Sequence, residues 1–206
     1  MRGNWHCNFL SWEMAGKRKG LKLDGKISDD AMTELNFRVD NNKEDPAHVA
    51  RDFLKSISMK TSVQRPGKPD IVIGAKNFTE QYILAEIFRL LIENYSDLNV
   101  ELKTGLAGTM ICFDALVNGE IDLYPEYTGT GLLVILKTEE NVRKSILGDE
   151  KKVYAFVSEE SDKRFDVTWL KPLGFSNAYA LMMRQDQAGS KNIKTISDLK
   201  DYVDRL

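Results

Sequence analysis

Residues 70–95, DIVIGAKNFTEQYILAEIFRLLIENY, decide the fold class that this sequence predicts. Asp70–Ala75 is a short apolar run rich in β-branched residues, which is typical of a buried strand. Thr79 is placed to cap a long helix, because apolar residues follow it at helical spacing, namely Ile83, Ile87, Leu90, Leu91 and Tyr95. A strand followed at once by a long helix is the beginning of a βαβ unit.

Strands and helices continue to alternate after this unit. Asn99–Lys103 and Ile121–Tyr124 are predicted strands, and the helix between them runs from Met110 to a stop at Gly119. The later elements are predicted helices at Gly129–Lys137 and Asp149–Phe165, predicted strands at Val167–Leu170 and Ala178–Arg184, and a last helical turn capped by Ser197. This alternation predicts an α/β fold with a mostly parallel sheet.

The sequence before the first strand has a different character. Residues 1–20 show no clear hydrophobic period. Asp24–Asn41 is a predicted helix with Ser28 as its N-cap, and a second helix starts with Asp45 as its N-cap and a proline next to it. Between Ser56 and Pro69 the chain turns polar and contains proline and glycine, which predicts a linker.

Composition excludes several classes of protein. The 206 residues include 29 basic and 31 acidic side chains, and a net charge of −2 offers no field for nucleic acid or anionic lipid. The longest apolar run, Gly131–Leu136, is far shorter than the ~20 residues that span a bilayer. The sequence therefore does not predict an integral membrane protein, a coiled coil, a disordered tail or a disulfide-rich scaffold.

Residue patterns typical of enzymes and metal sites are missing from the sequence. It contains no phosphate loop, no HExxH, no GxSxG and no Cys/His cluster. Cys7 and Cys112 lie in unlike contexts and are interpreted as buried or half-buried thiols rather than as a bridge. His6 and His48 have no partner pattern and are interpreted as surface or cap residues. The sequence therefore predicts neither a catalytic site nor a metal site.

Polar and aromatic residues follow the predicted strands at their carboxyl ends, where open α/β sheets bind ligands. These residues are Lys76–Thr79, Gly105–Thr109 and Tyr124–Thr130. Tyrosine faces attract a desolvated cation, while Lys76 and the N–H groups of a helix start attract a carboxylate. The set therefore suits a small zwitterion. The alternative is that the tyrosines of the YPEY turn pack in the core, and for Tyr124 the two interpretations stay open.

Four motifs stand in order along the second part of the chain: GAKNFTEQ at 74–81, AGT at 107–109, NGEIDLYPEYTGT at 118–130 and PLGFSNAYAL at 172–181. Together they resemble the substrate-binding proteins of osmoprotectant ABC importers, the glycine betaine, choline and carnitine family, and ergothioneine-binding relatives share them. The resemblance implies a periplasmic-binding-protein-like (type II) clamshell of two α/β lobes, with the ligand held between them and no cofactor.

The resemblance also implies a partner and a location. The expected partner is an ABC permease subunit or a fused permease domain, to which a quaternary amine is delivered. The expected location is the periplasm or the outer face of the cytoplasmic membrane, although no export signal is visible in residues 1–20.

Matching the motifs residue by residue gives five candidate ligand contacts. Lys76 would lie at the anionic end of the ligand, and Tyr127 and Thr130 would supply a cage wall and a hydroxyl. Tyr179 would be a second cage wall, with Asn177 beside it near the cationic head. Some relatives have Asp at the position of this Asn, so the preferred head group stays open.

The order of the pieces differs from that of the family. Residues 23–56 resemble the carboxyl-terminal end of the family, yet they precede the first lobe. We therefore expect a helical segment at 1–56, a linker at 57–69, a first α/β lobe at 70–176 and the incomplete start of a second lobe at 177–206.

Two arrangements explain this order. Either the chain spans the joint of two tandem binding domains, or its first helices fold back on the first lobe in the same chain, which is the arrangement that we favour. Because two cage aromatics of the family have no counterpart here, we expect weak or undetectable ligand binding. The alternatives are a degenerate or truncated fragment with a structural role, and an enzyme or regulator that shares the two-lobe fold.

Overall fold

A computed structural model describes residues 5–11 (as backbone), 23–61, 67–178 and 180–205. Its centre is a sheet whose strands are β1 (Trp5–Ser11), β2 (Ile71–Lys76), β3 (Val100–Leu106), β4 (Leu123–Tyr127), β5 (Thr168–Trp169) and β6 (Ser176–Asn177). The strand order is β3-β2-β4-β1-β5, and β6 pairs with β1. Strand β2 runs parallel to β3 and β4, whereas β1 runs antiparallel to β4, β5 and β6.

Helices cover both faces of this sheet. They are α1 (Asp29–Asp40), α2 (Pro46–Ser56), α3 (Thr79–Tyr95), α4 (Thr109–Val117), α5 (Thr128–Thr130) with a π-helical continuation (Gly131–Ile135), α6 (Glu140–Ile146), α7 (Glu150–Phe165), α8 (Gln185–Ser190) and α9 (Ile196–Val203). The predicted α/β class is confirmed, with helices flanking a sheet in which β3, β2 and β4 are parallel and the unpredicted β1 adds antiparallel pairings. Within the described ranges, no helix combines the length and the apolar character needed to cross a membrane.

Two hydrophobic cores lie on opposite faces of the sheet. Because side chains alternate along a strand, Leu123 joins the core that also contains α1, α2 and α3, whereas Tyr124 joins the core that contains α4 and α7. Tyr124 is fully buried there, and its burial raises the pKa of its phenol well above the usual value. Core packing is therefore the interpretation of Tyr124 that the structure supports.

Strand β1 was not predicted from the sequence, because residues 1–20 were assigned to no element. Its sequence does alternate, with apolar Trp5, Cys7 and Phe9 separated by polar residues. In the sheet, β1 lies beside β4 with Cys7 opposite Tyr127 and Phe9 opposite Pro125. A short strand between two neighbours owes its position to those neighbours, which a local pattern does not show.

Helices α1 and α2 pack against α3. The Ser28 side chain accepts a hydrogen bond from Ala31 N at the start of α1, and Asp45 caps α2, as the sequence predicts. Apolar residues of both helices then meet α3 in one core; those of α2 are Val49, Ala50, Phe53 and Leu54. This packing agrees with the arrangement in which the first helices fold back on the lobe.

Two predicted caps are wrong. Helix α3 follows Phe78 without a side-chain cap, and Thr79 is its first residue, with the hydroxyl donating to Asp40 Oδ1 at 2.5 Å. Helix α9 is capped by Thr195 through a capping box rather than by Ser197. At α9 the neighbouring hydroxyls of Thr195 and Ser197 offer the same local signal, and the capping box selects Thr195. At α3 the Thr79 hydroxyl bonds to α1 instead of capping its own helix.

The predicted strand at Ala178–Arg184 is also wrong for the part that the structure describes. Strand β6 ends at Asn177, and residues 178 and 180–184 have no regular secondary structure before α8 begins. Leu181 and Met182 are 69% and 95% exposed, so they have none of the burial that stabilises a strand of apolar residues.

Residues 172–174, which precede β6, lie close to residues 25–27, which precede α1. Gly25 N donates to Pro172 O and Ile27 N to Leu173 O, both at 3.1 Å. Gly174 has a φ of +118°, and a Cβ atom placed on it would lie 2.8 Å from Gly25 Cα. A side chain at residue 174 would therefore separate the two segments.

We predict that Gly174→Ala lowers the free energy of unfolding by about 1–3 kcal/mol more than Gly148→Ala does. Gly148 is the matched control, because its φ is +102° but a Cβ there meets nothing within 4 Å. Urea denaturation of both variants measures the difference. Equal losses of stability would show that residues 172–174 and 25–27 are not in close backbone contact.

Candidate functional site

An open cavity of about 540 Å³ lies at the carboxyl ends of β2 and β4. Four of the five candidate residues line it together, namely Lys76, Tyr127, Thr130 and Asn177. The other lining residues are Asn77, Phe78, Gly108, Thr109, Gly129, Leu133 and Val134. The fifth candidate, Tyr179, lies outside the described residues.

Lys76 and Glu126 form a buried ion pair at the wall of this cavity. Lys76 Nζ lies 2.6 Å from Glu126 Oε1, and the two residues are 5% and 0% exposed. Burial raises the pKa of the Glu126 carboxyl, against the opposing effect of the Lys76 ammonium. The same Oε1 accepts a hydrogen bond from Tyr127 N at 2.8 Å. The positive charge of Lys76 therefore already has a partner within the protein.

Two aromatic rings form one corner of the cavity. The rings of Phe78 and Tyr127 are nearly parallel, at an interplanar angle of 22°, with 6.5 Å between their centroids. Lys76 Nζ lies 5.0 Å from the Tyr127 centroid and 5.9 Å from the Phe78 centroid. These distances are within the range of cation–π attraction, so the corner already faces a cation of the protein itself.

Hydrogen bonds hold the polar side chains at the base of the cavity. The Tyr127 hydroxyl and Asn177 Nδ2 both donate to Glu80 Oε1, the second at 3.0 Å. Gln81 is fully buried, accepts from Lys76 N at 3.3 Å and donates to Pro125 O at 3.1 Å. The ends of β2 and β4 are thus tied to the first turn of α3, which fixes the rings and amide that face the cavity.

The start of α4 supplies backbone donors at the same cavity. Gly108 and Thr109 line it, and the helix begins without a side-chain cap. N–H groups at a helix start carry a partial positive charge and bind anions. The cavity therefore combines two electron-rich rings, a hydroxyl, an amide and a helix start, a set that can hold a small zwitterion.

Sequence reasoning missed three residues of this site. Phe78 was noted at the end of β2 but given no role, although it is 39% exposed and forms a wall. Glu126 lies inside the YPEYTGT motif, and its position between two tyrosines of a buried strand was the available signal. Glu80 had no local signal, because a glutamate in the first turn of a helix is ordinary on a solvent-exposed surface.

Among the described residues, the one cysteine thiol and the one histidine side chain lie in environments without a catalytic arrangement. Cys112 is a free, fully buried thiol whose pKa burial raises to about 11, as expected of a core cysteine. His48 lies at the surface, with Nε2 3.2 Å from Asp52. Across the described ranges, no group of His, Cys, Asp and Glu side chains is arranged to hold a metal ion.

Comparison with known proteins identifies relatives of this chain. Carnitine transport binding protein OpuCC of Listeria monocytogenes is 35% identical over 155 residues, which cover 75% of this chain and 48% of OpuCC. The ergothioneine transport permease/ergothioneine binding protein EgtU of Helicobacter pylori is 35% identical over 130 residues, which cover 63% of this chain and 22% of EgtU. The chain thus spans about half or less of the length of these relatives.

A solved structure and a family description complete the comparison. Apo YehZ from Escherichia coli shares 26% identity with a TM-score of 0.45, covering 68% of this chain and 47% of that structure. The sequence model described as "Substrate binding domain of ABC-type glycine betaine transport system" matches residues 69–206. This match spans most of the chain, and the chain therefore belongs to the family of substrate-binding domains of ABC-type glycine betaine transport systems.

Proposed function

We propose that this chain is a non-catalytic substrate-binding component of an ABC importer for quaternary-amine osmoprotectants such as glycine betaine, carnitine or choline. The observation that carries the proposal is the meeting of Lys76, Tyr127, Thr130 and Asn177 at one cavity, although they come from three separate motifs. The family match and the relatives that are named for carnitine and ergothioneine support the same class of ligand.

The cationic head of the ligand is proposed to lie against the corner of Phe78 and Tyr127. Thr130 and Asn177 supply a hydroxyl and an amide beside it. In the motif that contains Asn177, Tyr179 is proposed as a second cage wall. An aromatic face that contacts a desolvated methylated ammonium contributes about 0.5–2 kcal/mol.

The anionic end of the ligand is proposed to lie at the start of α4 and at Lys76. An ammonium has three N–H donors, and Glu126 accepts one of them, so donors remain for a ligand carboxylate. This geometry favours glycine betaine or carnitine over choline, because choline has no carboxylate to place there. Ergothioneine, which appears in the name of the relative EgtU, is the alternative ligand.

The rest of the assembly is also a proposal. Residues 177–206 are proposed to begin a second lobe, and residues 23–56 to complete the first one by packing on α3 in the same chain. The proposed partner is an ABC permease, either as a separate subunit or as a fused domain. The name of EgtU describes that relative as both a permease and a binding protein. The proposed location is the periplasm or the outer face of the cytoplasmic membrane.

A second candidate function is a fragment with weak or no ligand binding. The chain spans 48% of OpuCC, and an open cavity on one lobe lacks the water exclusion that lobe closure would bring. We therefore expect this chain by itself to bind glycine betaine or carnitine more weakly than low micromolar.

We predict that Tyr127→Leu weakens glycine betaine binding roughly 2- to 30-fold, because the variant loses one aromatic face. Isothermal titration at millimolar ligand measures the effect. Tyr95→Leu is the matched control, since Tyr95 is a half-exposed tyrosine at the far end of α3 and should leave the affinity unchanged. The same affinity in all three proteins would remove Tyr127 from the binding site.

We also predict that Glu126→Gln lowers the free energy of unfolding by about 3–5 kcal/mol, because it leaves the Lys76 ammonium buried without a counter-charge. The double variant Lys76→Met, Glu126→Gln should be more stable than the single one. Urea denaturation of both variants measures these differences. A double variant that is less stable than Glu126→Gln would contradict the paired burial.

A further inference from the structure

The Glu80 carboxylate lies behind the cavity wall, in the first turn of α3, and only 7% of the residue is exposed. Its Oε1 accepts hydrogen bonds from the Tyr127 hydroxyl and from Asn177 Nδ2. Its Oε2 accepts a hydrogen bond from Asn36 Nδ2 at 3.2 Å. One buried carboxylate therefore holds two side chains that line the cavity and is itself held by α1.

Such a carboxylate needs its donors, because a buried charge without hydrogen bonds is costly. The three donors come from positions 36, 127 and 177, on three separate elements of the chain. Bonds from the phenol and the amide to the same oxygen fix the distance between Tyr127 and Asn177. Without this acceptor, the Asn177 amide would regain rotational freedom that ligand binding must then remove. The Tyr127 hydroxyl would keep its contact with Gln81 Nε2 at 3.4 Å but would lose its charged acceptor.

Helix α1 holds both segments that carry these groups. Ser176 N, one residue before Asn177, donates to Asp29 Oδ1 at 2.6 Å. The Thr79 hydroxyl, one residue before Glu80, donates to Asp40 Oδ1 at 2.5 Å. Helix α1 thus contacts the neighbours of Asn177 and of Glu80, although none of its residues, all of which the structure describes, lines the cavity.

We propose that Glu80 is a positioning residue for ligand binding, which fixes the Tyr127 ring and the Asn177 amide and depends on Asn36 for its own orientation. This inference rests on the proposed function, since it concerns the same cavity. It means that ligand affinity depends on α1, the helix whose sequence resembles the opposite end of the family.

Three variants of the full chain test this role by titration with glycine betaine. Glu80→Ala should weaken binding roughly 5- to 150-fold, because both side chains lose their acceptor. Glu80→Gln should restore most of the affinity, since its amide oxygen still accepts from Tyr127 and Asn177. Asn36 Oδ1 has no partner among the described residues, so a turned Asn36 amide can accept from the new amide. Asn36→Ala should weaken binding severalfold.

The matched control is Glu93→Ala. Glu93 is also a buried carboxylate on α3, but it pairs with Arg89 away from the cavity. Its loss should lower stability and leave the affinity for glycine betaine unchanged. A Glu93→Ala variant that weakens binding as much as Glu80→Ala, or a Glu80→Gln variant as weak as Glu80→Ala, would overturn the positioning role.

A readout without ligand separates this inference from the proposed function. The side-chain NH₂ resonances of Asn177, assigned in a ¹H–¹⁵N spectrum by their loss in Asn177→Asp, should shift in Glu80→Ala and in Asn36→Ala but not in Glu93→Ala. Unshifted resonances in Glu80→Ala would overturn the inference. Shifted resonances together with no binding of glycine betaine by the unmodified chain would refute the proposed function alone.

Discussion

The buried ion pair of Lys76 and Glu126 joins the carboxyl ends of β2 and β4, and the cavity depends on it. Removing both charges from water costs several kcal/mol, which their attraction repays only with good geometry and further hydrogen bonds. Here Tyr127 N donates to the Glu126 carboxylate, and Gln81 of α3 accepts from the Lys76 backbone N–H and donates to Pro125 O. These contacts fix the two strand ends relative to α3, so the rings and amide beside them have defined places before a ligand arrives.

The pair also sets the electrostatics of the corner formed by Phe78 and Tyr127. A lysine ammonium lies near both rings, but its charge is balanced by a carboxylate. A purely cationic ligand would approach rings that already face a positive group. A zwitterion brings its own anionic end to the remaining donors of that group, which gives a physical reason to favour glycine betaine or carnitine.

Much of the fold could be predicted from local pattern. The β-branched run that became β2 and the apolar stripe of α3 are strong signals, and the caps at Ser28 and Asp45 were read correctly. Strand β1 and the irregular stretch around Met182 could not be predicted, because their state depends on which neighbours they meet rather than on their own residues.

The residues of the candidate site likewise fall into those that local motifs identify and those that only the fold brings together. Lys76, Tyr127, Thr130 and Asn177 were assigned through motifs, and the cavity brings them together. Glu80 was not assigned, because its importance comes from three donors that are distant in sequence and converge only in the fold.

The position of a bound methylated ammonium tests most directly whether the corner of Phe78 and Tyr127 holds the cationic head of the ligand. Saturation-transfer and intermolecular NOE spectra of the chain with excess glycine betaine would report it even at weak affinity, since the N-methyl protons give one sharp resonance. We expect NOEs from these methyl protons to the ring protons of Phe78 and Tyr127. NOEs to other parts of the molecule only, or none at ligand concentrations well above millimolar, would contradict this placement.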